Sequence, residues 1–258
     1  MPRSRALPPA RPLPTGFLAR PIAHRGLHNG HTLIENTRSA FEAAIAGDFG
    51  IECDIQASAD GEAMVFHDFD LERLTMATGR TDARSAAALC ALAFRAGRDG
   101  MGTLSALFDQ VKGRVPLVVE IKSRFDGDGR IAARLAGLAA SYSGPLVFKS
   151  FDPEKLVAMR EAGIAQPLGI VGEESYAHHE YDHLSAVEKH SLANLLHIER
   201  SQPDFVSWNH KNLPSAAPHL CRVGLGLPVM SWTVRSHKAA TEIAPYVDQI
   251  VFEGFHPD

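Results

Sequence analysis

Residues 115–121, Val-Pro-Leu-Val-Val-Glu-Ile, decide the fold. The run is apolar and β-branched, with Gly113-Arg114 before it and Lys122-Ser123 after it. It reads as a strand buried on both faces. From there the pattern is regular. A helix over 129–142 is followed by a strand at 145–149, and a helix over 153–162 precedes a strand at 167–171. A helix over 184–198 precedes a strand at 204–207. A short helix near 214–223 leads to a strand at 228–234, and a helix over 236–245 leads to a strand at 248–252. Strands that alternate with helices, each strand a nearly continuous apolar run, predict a parallel β/α architecture.

Upstream the same units are spaced more widely. Residues 20–24 read as a short buried strand and 50–55 as a second, with a helix over 37–47 between them. A turn at 59–62 leads to an extended piece at 63–66, and Leu104 to Val111 is a helix. Residues 68–102 are rich in Arg, Ala, Gly and Thr and only weakly periodic. They read as a long excursion containing short helices, not as a second domain. Setting 63–66 aside, strands fall near 22, 52, 118, 147, 169, 206, 230 and 250. Eight β/α units in about 250 residues predict a TIM (β/α)8 barrel. An open doubly wound sheet is the alternative, weakened by the lack of a glycine-rich phosphate loop after the first strand. The expected organisation is one domain over 1–258, with a proline-rich N-terminal arm at 1–18 and an insertion at about 68–102.

A formal net charge of −4, with no lysine or arginine run, argues against a nucleic-acid binder. The three cysteines, Cys53, Cys90 and Cys221, are far apart and odd in number, which fits neither a disulfide framework nor a zinc site. A reducing, cytoplasmic compartment is expected. The N-terminus has no continuous apolar segment of the signal-peptide kind, and no stretch is apolar enough to cross a bilayer. Nothing in the sequence sets the oligomeric state.

The chemistry gathers in four short motifs: His24-Arg25-Gly26, Glu52-Cys53-Asp54, His67-Asp68 and Glu120-Ile121-Lys122. A spacing of two on a strand puts Glu52 with Asp54, and Glu120 with Lys122, on one face. All are expected at strand ends, where a barrel keeps its chemistry. Three carboxylates on apolar strands offer oxygen ligands only, which suits a hard divalent cation, Mg²⁺ or Ca²⁺. The competing reading pairs each acid with a nearby cation, Glu120 with Lys122 above all. His24 and His67 are general acid–base candidates, beside the charged Arg25 and Asp68. Arg25 and Lys122 supply positive charge for a phosphate. Lys149 and Trp232, at later strand ends, are further substrate-binding candidates, with Trp232 either a pocket wall or barrel packing. Asn36 either caps the first helix or binds a ligand.

In this order the residues resemble the glycerophosphodiester phosphodiesterase family. The match extends through Glu35-Asn36-Thr37, Asp60-Gly61, Leu71-x-Arg73-x-Thr75, Thr103-Leu104, Ser150-Phe151 and Ser231-Trp232-Thr233-Val234. The resemblance implies a TIM barrel with a small insertion after the second strand. It implies a divalent cation on Glu52, Asp54 and Glu120, with His24 and His67 as acid and base in unassigned order. The substrate would be a small-molecule glycerophosphodiester, cleaved to glycerol 3-phosphate and an alcohol as part of lipid and glycerol metabolism. Two rivals are a lyase of phospholipase D or C type that forms a cyclic phosphate, and a silent phosphate-ligand binding protein. The chain departs from the family at Ile34, at Arg235, and at its end, Phe252-Glu253-Gly254-Phe255, where the family has Thr-Asp before a proline.

Overall fold

The computed structural model describes residues 7–257. One sheet contains ten strands: β1 Ile22–Ala23, β2 Gly50–Ala57, β3 Ala63–Val65, β4 Gly102–Thr103, β5 Leu117–Ile121, β6 Leu146–Ser150, β7 Leu168–Gly172, β8 Phe205–Asn209, β9 Val229–Val234 and β10 Gln249–Phe252. Parallel pairing runs from β2 through β5, β6, β7, β8 and β9 to β10. β1 pairs in parallel with both β10 and β2, which closes the ring. The closed ring of eight parallel strands is a TIM barrel, and the closure rules out the open sheet. β3 and β4 lie outside it. β2 continues past the barrel rim, where Ile55, Gln56 and Ala57 pair antiparallel with Val65, Met64 and Ala63.

The helices are α1 Arg38–Ala46, α2 Ala86–Cys90, α3 Leu104–Val111, α4 Arg130–Ser141, α5 Pro153–Glu161, α6 Ala186–Ala193, α7 Ile198–Ser201, α8 Ala216–Leu225 and α9 His237–Ile243. The helix predicted over 184–198 is two. A Ser185–Glu188 capping box starts α6, and Leu195, in the left-handed region at φ 51°, stops the chain from continuing as helix. Between residues 68 and 102 the regular structure is a 3-10 turn at Thr81–Ala83 and α2. Leu71, Leu89 and Met101 from this segment bury a small core of their own with Met64 and Phe66.

Strand alternation divides the main core in two. Ile51, Cys53 and Ile55 of β2, Leu117, Val119 and Ile121 of β5, and Leu146 and Phe148 of β6 pack outward under the helices. Ile22, Val118, Val147, Phe205, Met230 and Val251 point inward and fill the N-terminal half of the barrel. Phe17 and Leu13 extend this inner cluster, and Arg11 ties the arm to the barrel by donating from its backbone to Asp204 at 2.7 Å. Residues 1–6 of the expected arm lie outside the described residues. Gly169 leaves room for the Phe205 ring, since a Cβ there would lie 2.2 Å from it. An apolar plug below leaves the C-terminal half of the barrel for polar groups.

Candidate active site

Strand register sets the polar layer. Asp54 of β2 is level with Glu120 of β5, and Glu120 with Lys149 of β6. Glu52 lies one inward position below Asp54. The two acids therefore lie within β2 and not at its end, contrary to expectation, because β2 runs on to pair with β3. Ligand oxygens of Glu52, Asp54 and Glu120 all lie within 4.8 Å of one another.

One buried cation, Lys149, and two half-buried ones, Lys122 and Arg25, face these three buried acids. Lys149 Nζ sits 3.1 Å from Glu52 Oε1 and 2.9 Å from Glu120 Oε2. Lys122 Nζ lies 3.1 Å from Glu120 Oε1 and 3.9 Å from Asp54 Oδ1. Arg25 Nε lies 3.2 Å from Asp54 Oδ2. Glu120 pairs with Lys122, as the competing reading expects, and its oxygens also converge with those of Glu52 and Asp54. Lys149, expected at the mouth, forms the cavity floor and is 2% exposed. Burial pushes the Asp54 carboxyl up, but the charges of His67, Arg25, Lys122 and His24 hold it well below the usual carboxylate range. Burial likewise opposes Lys149 and Lys122, and the facing carboxylates keep both above the ordinary lysine value. The facing charges therefore favour the ionised forms of Asp54, Glu120, Lys122 and Lys149.

The turn after β1 aims its groups by backbone conformation. Arg25 is left-handed at φ 55°, and its N–H donates to Glu52 Oε2 at 3.1 Å. Such a conformation costs a non-glycine residue about 1 kcal/mol and is characteristic of functional sites. Gly26 at φ 78° packs on Ala40, where a Cβ would meet the backbone at 2.9 Å. Asn36 neither caps α1 nor points to the cavity. Its amide donates to Asp54 Oδ2 at 2.9 Å and accepts from Asp54 N at 3.2 Å, so it positions that acid.

Each histidine is held at Nδ1 by a carboxylate that an arginine grips from behind. His24 Nδ1 lies 2.6 Å from Glu253 Oε2, and Arg235 binds both Glu253 oxygens. His67 Nδ1 lies 2.8 Å from Asp68 Oδ1, and Arg73 binds Asp68 and Glu35. Glu35 in turn accepts from Arg25 Nη1 at 2.7 Å. Burial raises the Glu253 and Asp68 carboxyls, but the histidine and arginine contacts bring each down to about 2. An ionised carboxylate only accepts, so each Nδ1 donates and each Nε2 is left for another contact. The Lys122 ammonium lies 3.2 Å from His67 Nε2.

The charged partner of His24 is Glu253, not the adjacent Arg25. The register that closes the barrel, Ala23 beside Phe252, puts the residues that follow β1 and β10 side by side. A closed barrel, once assumed, is the signal that could have found this pair in the sequence.

His24, Arg25, Asp54, His67, Glu120, Lys122, Lys149 and Trp232 all line one cavity of about 360 Å³ at the C-terminal mouth. Glu52 lies beneath it, fully buried. Trp232 is both wall and packing: its Nε1 donates to Ser207 O at 3.0 Å while its ring meets Phe151 edge-on at 5.3 Å. Among the described residues no helix is long and apolar enough to cross a membrane.

The model of the glycerophosphoryl diester phosphodiesterase family matches residues 24–250. The chain belongs to that family. It is a phosphoric diester hydrolase by that membership. The chain is 25% identical over 251 residues to YhdW of Bacillus subtilis (strain 168), a protein named for the same activity, covering 92% of this chain and 94% of that protein. Solved structures with the same barrel include a phosphodiesterase from Oleispira antarctica in complex with the product sn-glycerol-3-phosphate. Its TM-score is 0.73 at 20% identity, over 91% of this chain and 92% of that one. A glycerophosphodiester phosphodiesterase from Thermotoga maritima superposes with a TM-score of 0.68 at 22% identity, over 90% and 94% of the two chains. The family match begins at His24 and takes in every residue of the cavity named above.

Proposed function

We propose that this family member hydrolyses glycerophosphodiesters to glycerol 3-phosphate and an alcohol, with His24 and His67 as the proton-transfer pair. One observation carries the reading: two imidazoles, each with Nδ1 committed to a carboxylate, line one cavity with a cationic floor. Arg25 and Lys122 bind the phosphodiester, and Lys149 adds positive charge beneath it. One histidine takes a proton from the nucleophile at Nε2, and the other delivers a proton to the leaving alkoxide. Each contributes ~10²–10⁴-fold.

Glu52, Asp54 and Glu120 fit a hard divalent cation, Mg²⁺ or Ca²⁺. Their oxygens converge, and Glu52 Oε1, though ion-paired with Lys149 at 3.1 Å, is buried without a hydrogen bond. A bound cation would supply Lewis-acid stabilisation of negative charge on phosphate. The three cysteines are free thiols, which supports the cytoplasmic reading.

The test is turnover of sn-glycero-3-phosphocholine followed by phosphorus NMR. Glycerol 3-phosphate is the expected product, and His24→Ala and His67→Ala each lose at least a hundredfold in kcat. Near-normal turnover by both variants would falsify the assignment, and a cyclic phosphate product would show a lyase.

A further inference from the structure

The cavity has an ionic half and an aromatic half. Asp54 of β2 and Glu120 of β5, with Arg25 and Lys122 just after β1 and β5, make the ionic half. Phe151 follows β6, Glu173 follows β7, Asn209 ends β8 and Trp232 lies in β9. Tyr181, from the loop after β7, completes the arc, with its ring 6.0 Å from Phe151. Phe151 already accepts a cation on its face, for Lys122 Nζ lies 6.0 Å from the ring centroid.

Glu173 breaks the charge bookkeeping of the site. Glu52, Asp54, Glu120, Asp68, Glu35 and Glu253 each pair with a lysine or arginine. Among the described residues none pairs with Glu173, which is half-buried in the same cavity. Its hydrogen-bond partner there is Asn209 Nδ2, at 3.0 Å. That amide cannot turn away, because its Oδ1 accepts from Lys211 N at 3.1 Å. His178 and Glu180 are the other titratable groups whose fields reach Glu173. The lysines and arginines of the cavity are already committed: Arg235 to Glu253, Lys149 to Glu52 and Glu120, Lys122 to Glu120 and Asp54, and Arg25 to Glu35 and Asp54. A half-buried carboxylate without a lysine or arginine, in a cavity also lined by Phe151, Tyr181 and Trp232, is the complement of an organic cation, which gains from both charge and cation–π attraction.

We propose that Glu173, with Phe151, Tyr181 and Trp232, forms the subsite for the leaving alcohol, and that it selects a cationic amino alcohol, of which choline and ethanolamine are the simplest. The selection rests on the hydrolase reading above. The ionic half holds the phosphate, and the aromatic half holds the ammonium group attached through the alcohol carbons. Transfer of the phosphoryl group to water leaves the amino alcohol in this subsite as the released product.

The experiment compares kcat/KM for glycerophosphocholine, glycerophosphoethanolamine and glycerophosphoglycerol, whose leaving alcohol carries no charge. The wild-type protein is expected to favour the two substrates with a cationic alcohol by about tenfold or more. Glu173→Gln is expected to lower the ratio of kcat/KM for the amino-alcohol substrates to that for glycerophosphoglycerol about tenfold, and Glu173→Asp to restore part of it. Equal kcat/KM for the three substrates, or an unchanged ratio in Glu173→Gln, overturns the subsite while leaving the hydrolase reading intact. Calorimetric titration with choline chloride serves as the second readout. Binding to the wild type that weakens about tenfold in Glu173→Gln supports the subsite even if no glycerophosphodiester is hydrolysed, an outcome that would sink the hydrolase reading alone. Absence of choline binding at millimolar concentration, together with no preference among the substrates, overturns the proposal.

Discussion

His24 and Glu253 stand 229 residues apart in the chain, and their side chains meet at 2.6 Å. The contact exists because β1 and β10 are neighbours in the closed barrel. On the proposed mechanism it holds the His24 proton on Nδ1 and leaves Nε2 to exchange the proton of the reaction. Glu253→Gln can donate to Nδ1 and stabilise the wrong tautomer. We expect kcat for glycerophosphodiester hydrolysis to fall about 10–100-fold, within the range that one acid–base group contributes. KM should change little, because Glu253 does not touch the phosphate in this scheme. A variant with wild-type kcat and an unaltered pH–rate profile would show that the dyad has no part in proton transfer.

Lys149 provides a second test. Its ammonium lies between Glu52 and Glu120, where it neutralises charge that would otherwise favour a metal ion. In chelator, Lys149→Met leaves those buried carboxylates short of a partner, and a loss of about 3–5 kcal/mol is expected. Mg²⁺ or Ca²⁺ should restore the melting temperature of the variant more than it raises that of the wild type, because a ligand that binds only the folded state stabilises it. Calorimetric titration should show the variant binding the cation at least tenfold more tightly. A melting temperature indifferent to divalent cations would argue against the acidic triad as a metal site.

Acid stability follows from the clamped carboxylates. Glu35 is drawn from 4.5 to about 2: burial opposes this, and Arg73 and Arg25 overcome it. Between those pH values the unfolded chain binds more protons than the folded one, so stability falls as pH drops from about 4.5 to about 2 and is fully present above that window. The shift corresponds to at most about 3 kcal/mol. Glu35→Gln should be less stable at pH 7 and show a shallower decline over the same range in urea titrations. Parallel curves for the two proteins would refute this coupling.

Gly169 tests the barrel plug. Gly169→Ala forces a methyl group into the Phe205 ring and should cost about 1–3 kcal/mol. Phe205→Leu should recover part of that loss in the double variant, a non-additive effect between residues in contact. Strict additivity would mean that the ring does not fill this space in solution.

The sequence by itself determined the strand and helix alternation, because each parallel strand is buried on both faces and must be apolar along its length. It also determined which acids share a face, since alternation along a strand has a fixed period, and the motif order carried the family. Three things were decided only by the tertiary structure. Glu253 came to His24 through closure of the ring, which no local pattern encodes. Lys149 moved from the mouth to the floor because strand register sets it level with Glu120. Asn36 left its capping position for Asp54 because the left-handed turn at residues 25 and 36 lays that loop over β2. Periodicity is a property of neighbours in the chain, whereas register, closure and charge pairing are properties of neighbours in space.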